Sequence, residues 1–356
     1  MIKDKTKIYI DPSSKIIYSS YYMKGLYDFV GKGNVFFSSK YFTTLNKKGD
    51  AYSYDSYMAL VIIEDEILYR VIIDFGDDYP IRKNAYKWCD VYGKINYDPI
   101  RTPTELQAKI LSIPPGFGIK IWNIFDALWF SVSNLLKLRG DRQISLRKHF
   151  HSYLSQYKAL RLENFVGSSS SMCTKENYVF FIASLWPHQN CITGTNLFRK
   201  MFIETCIKND LDFEGGFLIT ENNHPQFNEF KNFMFNRRYP LTEFIEKTKK
   251  SSLVFNTPAV HNCHGWKFGQ FLAMHKAIIS TPFQNNLPED LVHGENIHFI
   301  SDSSELDEAI LKISSDDTYR KNLEAGAQKY YYKYASPITV IDQIFTKLKL
   351  ISTDGE

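Results

Sequence analysis

The sequence predicts an α/β protein with two domains. A chain of 356 residues is too long for one ordinary hydrophobic core and suits two domains of the usual size. Its 44% hydrophobic and 23% charged residues are typical of a globular protein. In both halves, short apolar runs alternate with helix-like segments, which is the pattern of a mostly parallel sheet covered by helices.

The first domain is predicted over residues 1–150. The runs KIYID near residue 7 and NVFFS near residue 34 indicate strands, and a helical stretch lies between them at about 21–30. The next two runs, YMALVIIED and ILYRVIIDF, are continuous apolar strands that suit a sheet buried on both faces. An acidic turn at 74–80 then leads into another helix-like segment, so the recurring order of strand, turn and helix predicts a mostly parallel sheet.

A change of composition separates this domain from the second. Residues 140–176 pass from a basic segment into the Ser-rich run GSSSSMCTKEN, which is typical of loops. We therefore expect a linker at 151–177, a second domain at 178–335 and a last amphipathic helix at 336–356.

The second domain repeats the order of strand and helix. A buried strand, YVFFIA, is followed by a helix at 195–208 that Thr or Asn can cap. Further on, the strands SLVFNTP and AIISTP flank the helix KFGQFLAMHK. In open α/β sheets the ligand crevice lies beyond the carboxyl ends of the strands. We therefore expect the loops 184–196, 256–266 and 280–288 to converge on one site.

Composition excludes several classes of function. A net charge of +4, from 43 basic and 39 acidic residues, gives no case for nucleic acid as a partner. Five cysteines without CxxC or zinc-like spacing indicate reduced thiols and a cytoplasmic location, and the first residues lack the pattern of a signal peptide. Without GxGxxG or a P-loop, the chain does not resemble an ordinary nicotinamide dehydrogenase or nucleotide hydrolase.

The most apolar stretch is IKIWNIFDALWFSVSNLL at 119–136. Lys120, Asp126 and several polar residues interrupt it, so it falls short of a transmembrane helix. Two interpretations remain open. The stretch suits an amphipathic helix lying on a membrane surface, and it equally suits a helix packed in a core or between domains.

The strongest functional signal lies between residues 256 and 300. It consists of GWKF at 265–268, QFLAMHKAII at 270–279, LPE at 287–289 and HGEN at 293–296. In this order the segments resemble the donor-binding half of GT-B glycosyltransferases of the group 1, family 4-like kind. Their loose pattern is a Gly-containing loop, an EALAxGKPVI helix-to-strand turn, and LPE followed by HGENG. The resemblance covers about residues 178–336.

The resemblance implies two Rossmann-like domains facing across a cleft. The second would bind a nucleoside diphosphate sugar, the first would bind a glycan or lipid-linked acceptor, and the last helix would cross back to the first domain. It also implies transfer of a hexose or deoxyhexose, a role in surface polysaccharide or glycoconjugate synthesis, and no cofactor other than the nucleotide-sugar substrate. The expected location is cytoplasmic, with peripheral contact at the inner membrane face as an alternative.

A diphosphate needs cations or N–H donors, and the amino terminus of a helix supplies the latter. Lys267 lies in the first turn of a predicted helix, where a cation is unfavourable unless it meets an anion. Arg199 is a second phosphate candidate, and Gln270 lies one turn after Lys267. The donor-binding candidates are Lys267, Gln270, Arg199, His264, Gly265, Trp266, Asn262, His261, Phe268, Trp186, Asn196 and Glu289. For the histidines and Trp266, simple packing is the competing interpretation.

Two departures from the family pattern concern the chemistry. Many retaining members carry two glutamates eight positions apart, and this chain has Asn262 and Gln270 at the corresponding places. An amide can hydrogen-bond a hydroxyl but cannot act as a carboxylate base. His275 stands where the family usually has Gly, so the turn there could differ in backbone angle. The stereochemical class therefore stays open.

Catalytic candidates in the first domain rest on position alone. Asp77 and Asp11 follow apolar strands, where a carboxylate could serve as the base for an acceptor hydroxyl, although such residues are commonly turn formers. No DxD or HExxH pattern indicates a metal, and we expect metal-independent chemistry. A nucleotide-sugar epimerase of the same fold and a non-catalytic sugar-binding or scaffold protein are the alternative functions.

Overall fold

A computed structural model describes residues 6–50, 56–138, 145–167, 177–218 and 224–353. The chain divides into two compact units. Unit 1 comprises Met1–Leu162, Asn285–Glu289 and Lys333–Glu356, and unit 2 comprises Glu163–Gln284 and Asp290–Tyr332. The short segment Asn285–Glu289, expected in the second domain, thus belongs to unit 1. Most of the Ser-rich run lies outside the described residues.

The α/β class is confirmed, and a strand lies at each apolar run named above. The helix-like segment after the acidic turn is shorter than expected, because its residues 91–94 form a strand. Up to residue 165 they are β1 Lys7–Ile10, α1 Ile16–Val30, β2 Val35–Phe37, β3 Tyr57–Glu64, β4 Ile67–Asp74, α2 Lys83–Trp88, β5 Val91–Lys94, α3 Thr104–Gln107, β6 Ile110–Ser112, α4 Ile124–Lys137, α5 Leu146–Lys158 and α6 Leu162–Phe165. After it they are β7 Tyr178–Ser184, α7 Asn196–Lys208, β8 Asp212–Leu218, α8 Phe227–Phe230, α9 Leu241–Lys250, β9 Val254–Asn256, α10 Trp266–Ala273, β10 Ile278–Ser280, β11 His298–Phe299, α11 Glu305–Ser315, α12 Asp317–Tyr330 and α13 Pro337–Thr353.

The sheet of unit 1 has six strands in the order β2-β1-β3-β4-β5-β6. β3 runs antiparallel to both of its neighbours, and the remaining pairs are parallel. The expectation of a mostly parallel sheet therefore misses a hairpin. Glu64 pairs with Ile67, and the two turn residues Asp65 and Glu66 both have positive φ, 48° and 73°. A two-residue turn of this kind joins antiparallel strands only, because a parallel pair needs a long crossover.

Unit 2 contains only parallel strand pairs within its described residues. β7 pairs with β8, and β9, β10 and β11 form a second group in the order β11-β10-β9. Phe181, Phe202 and Phe255 meet in the core between these strands and α7, with the rings of Phe202 and Phe255 stacked at 4.5 Å. This core fixes the carboxyl ends of β7 and β9 relative to α7.

The last helix, α13, packs against α1 within unit 1. The Tyr21 hydroxyl donates to the carbonyl of Ala335 at 2.8 Å, and the rings of Phe29 and Phe345 lie 4.7 Å apart. The backbones approach closely at Gly25, where a Cβ atom would lie 2.1 Å from the Pro337 carbonyl oxygen. None of the described helices is long and apolar enough to cross a membrane.

Replacing Gly25 with alanine should lower the thermal unfolding midpoint of unit 1. Alanine normally stabilises a helix interior by about 0.5–1 kcal/mol relative to glycine. Here the added methyl group collides with backbone, and overpacking of this kind costs about 1–3 kcal/mol. Differential scanning calorimetry measures the change. Gly33→Ala is the matched control, because its Cβ would meet nothing within 4 Å; equal midpoints for the two variants would contradict the tight α1–α13 contact.

Candidate functional site

Unit 2 has a pocket of about 180 Å³ where the loops after β7 and β9 meet α7 and α10. Ser184 ends β7 and Asn256 ends β9, so the pocket lies beyond the carboxyl ends of the strands, where ligands bind in α/β folds. Its lining residues are Phe181, Ala183, Ser184, Trp186, Arg199, Phe255, Asn256, Thr257, Ala259, Gly265, Trp266 and Lys267. Five of the twelve donor-binding candidates line this pocket, and the other seven lie elsewhere in unit 2 or, for Glu289, in unit 1.

Arg199 reaches the pocket from α7 and is half-buried. Its Nε donates to Thr257 Oγ1 at 2.9 Å, and its Nη1 donates to the Ser184 carbonyl at 3.2 Å. These two bonds attach the guanidinium to the ends of both strands. Burial lowers the pKa of Arg199 to about 10, so the group stays charged at neutral pH.

Lys267 enters the same pocket from the first turn of α10. Its Nζ donates to the carbonyl of Ile182 in β7 and lies 5.7 Å from the centre of the Phe244 ring. Burial, with a further contribution from the positive charge of Arg199, lowers the pKa of Lys267 to about 7. The surroundings of Lys267 therefore favour the neutral amine over the ammonium form, and a bound anion would reverse this preference.

Among the described residues, neither Arg199 nor Lys267 forms an ion pair with a carboxylate. Two like charges in one half-buried pocket repel each other and are costly to desolvate. Half-buried charges of this kind are usually paired, so the arrangement indicates an anionic ligand.

The start of α10 adds backbone donors beside these cations. The N-cap residue of this helix, Gly265, has no side chain to cap it and has open space where a Cβ would stand. The first N–H groups of a helix lack internal partners and attract negative charge. Arg199, Lys267 and the start of α10 together form a site suited to a phosphate group.

The loop before α10 carries a neutral polar network. Asn190 Nδ2 donates to Asn262 Oδ1 at 3.0 Å and to the carbonyl of Ala259 at 2.9 Å, and Asn262 Nδ2 donates to Gln284 Oε1 at 2.7 Å. His261 is exposed and contacts the ring of His188 edge-on, with ring centres 4.4 Å apart. Asn262 therefore joins all three loops that the sequence predicts to converge, although the bond to Gln284 lies at the surface.

His261 and Asn262 have positive φ values of 56° and 60°. Two consecutive residues other than glycine in this conformation store backbone strain, which proteins retain mainly at functional sites. Both residues are candidates from the sequence, whereas their partners His188, Asn190 and Gln284 are not. Thr257 occurs in the sequence-based prediction only within the strand SLVFNTP. Loop position was the only sequence signal for these residues.

Three other candidates are packed inside unit 2. Phe268 is fully buried and His264 is 4% exposed. Their rings cluster with that of Phe283, whose centre lies 4.9 Å from the Phe268 ring and 5.0 Å from the His264 ring. Gln270 is also buried, on α10 one turn after Lys267. Packing explains the positions of Phe268 and His264 in this structure.

The turn after α10 contains His275, at the position where the family usually has glycine. Its φ of 55° is the left-handed conformation that glycine favours. The His275 N–H bonds to the carbonyl of Leu272 and the Lys276 N–H to that of Phe271, which is the pattern of a Schellman cap. The backbone path of a glycine turn is thus kept despite the histidine side chain.

The two tryptophans and Asn196 have different environments. Trp186, 38% exposed, and the half-buried Trp266 both line the pocket and can contact a ligand there. Asn196 is fully buried, and its Nδ2 donates to the Trp186 carbonyl and to Gln226 Oε1, each at 2.9 Å. Asn196 therefore holds the loop that carries Trp186 and does not face the pocket.

In unit 1, the two catalytic candidates lie on different strands. Asp11 is buried, forms an ion pair with Lys47 at 2.5 Å and accepts from Ser13, while Asp77 is exposed in the turn after β4. Near Asp77, the fully buried Asp74 forms an ion pair with Lys94 at 3.2 Å. The described parts of the chain hold no group of three or more His, Cys, Asp or Glu placed to bind a metal.

No protein-family model matches the sequence, and no curated protein does either. Solved structures similar to this chain share little sequence identity with it. The C-terminal domain of a glycosyl transferase group 1 family protein (LpcC) from Francisella tularensis is 14% identical, with a TM-score of 0.35 over 48% of this chain and 96% of that one. HepE from Anabaena, solved in complex with UDP, is 11% identical, with a TM-score of 0.42 over 75% and 74%.

TarM is 11% identical to this chain, with a TM-score of 0.41 over 75% of this chain. The match spans about half of TarM, 51% of its length. Likeness at this level does not define an activity, so the function proposed below rests on the residues of the pocket.

Anion binding in this pocket should weaken as the pH rises. With a pKa of about 7, Lys267 loses its proton between about pH 6.5 and 8.5, while Arg199 stays charged. Sulfate keeps a constant charge over this range, so its dissociation constant should rise by about tenfold or more through loss of the lysine charge. Isothermal titration calorimetry at about pH 6.5 and pH 8.5 measures this dissociation constant.

Lys267→Met should bind sulfate weakly and nearly equally at both pH values, because the titrating group is gone. If wild-type affinity does not depend on pH, Lys267 does not hold the anion.

Proposed function

We propose that the protein is a glycosyltransferase whose unit 2 binds a nucleoside diphosphate sugar. The observation that carries this proposal is the pair of cations, Arg199 and Lys267, in one pocket at the start of α10 without a carboxylate partner among the described residues. A diphosphate supplies the missing negative charge, and its oxygens can accept from both side chains and from backbone N–H groups. Supporting it, the segments at 265–268, 270–279, 287–289 and 293–296 resemble a donor-binding sequence.

In this proposal the chemical role of the pocket is to stabilise the leaving group. As the bond between the sugar and the diphosphate breaks, negative charge grows on the diphosphate oxygens. Arg199 is fixed beforehand by Thr257 and Ser184, and Lys267 by Ile182, so little reorganisation is needed at that moment. Since two cations and a helix start provide the positive charge, we propose that no divalent ion is required.

The sugar would meet neutral groups instead of the glutamate pair of many related enzymes. Asn262 and Gln270 replace those glutamates, and Asn262 is held by Asn190 and Gln284. Amides can hydrogen-bond sugar hydroxyls as donors and as acceptors. For the acceptor we propose a glycan or a lipid-linked glycan and, as its base, Asp77 rather than Asp11, because Asp77 is exposed whereas Asp11 is buried in an ion pair with Lys47.

The proposed location is the cytoplasm. The four cysteines that the structure describes are buried free thiols, which suits a reducing compartment. From the sequence resemblance we further propose that the transferred sugar is a hexose or a deoxyhexose. The product would be a surface polysaccharide or a glycoconjugate.

One observation favours a second candidate, a nucleotide-sugar epimerase. The rings of His188 and His261 meet in the loops beside the pocket, and imidazoles can move protons near neutral pH. An epimerase would change its nucleotide sugar without an acceptor, so a product analysis without acceptor distinguishes the two activities.

Removing the lysine charge should weaken nucleotide binding. We expect Lys267→Met to raise the dissociation constant of the preferred nucleoside diphosphate by about 10–100-fold, since a hydrogen bond to a charged group is worth roughly 1.5–3 kcal/mol. Calorimetric titration with uridine, guanosine, adenosine and thymidine diphosphates measures it. Lys200→Met is the control, because Lys200 lies next to Arg199 in the chain but pairs with Glu229 outside the pocket. Equal affinity in the two variants would rule out phosphate contact by Lys267.

Incubating the wild-type protein with the common nucleotide sugars tests the activity itself. Transferases often hydrolyse their donor slowly, so we expect release of nucleoside diphosphate from one donor, and less release from Lys267→Met. Binding of the nucleotide without any turnover, even with glycan acceptors present, would favour a non-catalytic sugar-binding protein. Conversion to an epimeric nucleotide sugar would favour the epimerase.

A further inference from the structure

Helix α4 in unit 1 turns its large apolar side chains outward. The exposed fractions are 79% for Phe125, 46% for Leu128, 71% for Trp129, 50% for Val132 and 50% for Leu136. Their spacing places them in one stripe along a helix. Single exposed apolar residues are common on protein surfaces, but a continuous stripe with two aromatic rings marks an interaction surface.

The inward face of α4 carries small and polar residues, together with Phe130, whose ring packs on the rings of Phe37 and Trp122. Ala127, Ser131 and Asn134 are buried there. Asn134 Nδ2 donates to the hydroxyl of Tyr153 at 2.8 Å, and the carbonyl of Ser131 lies 2.8 Å from Nε2 of His149. These contacts to α5 satisfy the inward polar groups. Helix α4 thus buries polar side chains and exposes apolar ones, which is the reverse of an ordinary surface helix.

The charges on α4 and α5 are mostly positive. Lys137 lies at the end of α4, and α5 carries the exposed Arg147, Lys148 and Lys158 without any acidic residue. The acidic residue of α4, Asp126, forms an ion pair with Lys32 at 2.8 Å. An apolar stripe with basic side chains beside it complements a surface that has an apolar interior and an anionic exterior.

We propose that the outward face of α4 docks on an anionic lipid surface, with α4 lying in the plane of the membrane. Phe125 and Trp129 would insert between the lipid headgroups, where aromatic rings are favoured, and the basic residues of α5 would add attraction to anionic lipid. At 14 residues, α4 is too short to span a bilayer. This proposal concerns unit 1 and does not depend on the sugar-nucleotide pocket, although it would bring the protein to a lipid-linked acceptor.

Vesicle sedimentation with the full chain tests the proposal without any nucleotide present. We expect binding to phosphatidylcholine vesicles that contain about 30% phosphatidylglycerol, and much weaker binding to phosphatidylcholine alone, because the attraction is partly electrostatic. The double variant Phe125→Ser, Trp129→Ser should reduce the partition coefficient by about tenfold or more, since two buried rings are lost. Ile100→Ser is the matched control, because Ile100 is 95% exposed and lies outside α4.

A second double variant, Arg147→Glu with Lys158→Glu, should remove the preference for anionic vesicles. Thermal unfolding midpoints of all variants should stay close to that of the wild type, because the changed side chains are exposed. The proposal is overturned if the wild type does not bind anionic vesicles, or if the Phe125 and Trp129 changes leave binding intact. Concentration-dependent dimerisation that these two changes abolish, without vesicle binding, would assign the face to a second copy of the chain.

Discussion

The constraint on which the candidate site depends is the placement of two cations in one half-buried pocket. Arg199 comes from α7 and Lys267 from α10. Burial lowers both pKa values, and the charge of Arg199 lowers the pKa of Lys267 further. The fold offsets this cost only in part. The guanidinium is attached to Thr257 and Ser184, and the ammonium contacts the Ile182 carbonyl and the Phe244 ring. These partners are neutral, so they orient the charges without neutralising them. A site of this kind is prepared for a ligand that brings its own negative charge.

Beside the cations, the protein uses neutral hydrogen-bonding groups. Asn190, Asn262 and Gln284 link loops from three parts of the chain, and the backbone strain at His261 and Asn262 is maintained by this network. A carboxylate at position 262 would reduce the positive potential near the pocket, whereas an amide leaves it unchanged while still offering a donor and an acceptor. The neutral amides and the cationic pair together suit the nucleotide-sugar site proposed above, in which the diphosphate supplies the negative charge.

Unit 1 is organised around a different surface. Its core is closed by α1, α13 and the mixed sheet, and the polar inward face of α4 is satisfied by α5. This arrangement leaves the apolar face of α4 without a covering element among the described residues. The sequence leaves two interpretations open for residues 119–136, a membrane-surface helix and a core helix. Which face of α4 the neighbouring helix covers therefore decides between them.

The sequence alone predicts the α/β class, most strands and helices, and the position of Lys267 in the first turn of a helix. These features depend on periodicity, capping residues and local charge, which involve residues close together in the chain. It also contained the two-residue turn Asp65-Glu66, whose length alone indicates the hairpin that the expected parallel sheet missed. Only the tertiary structure decided that Arg199 and Lys267 share a pocket, that Asn190 holds Asn262 at a separation of 72 positions, and that Asn134 rather than Trp129 is buried. These contacts join elements that are far apart in the chain. The apolar pattern of a helix shows which residues share a face, but it does not show which other element packs on that face.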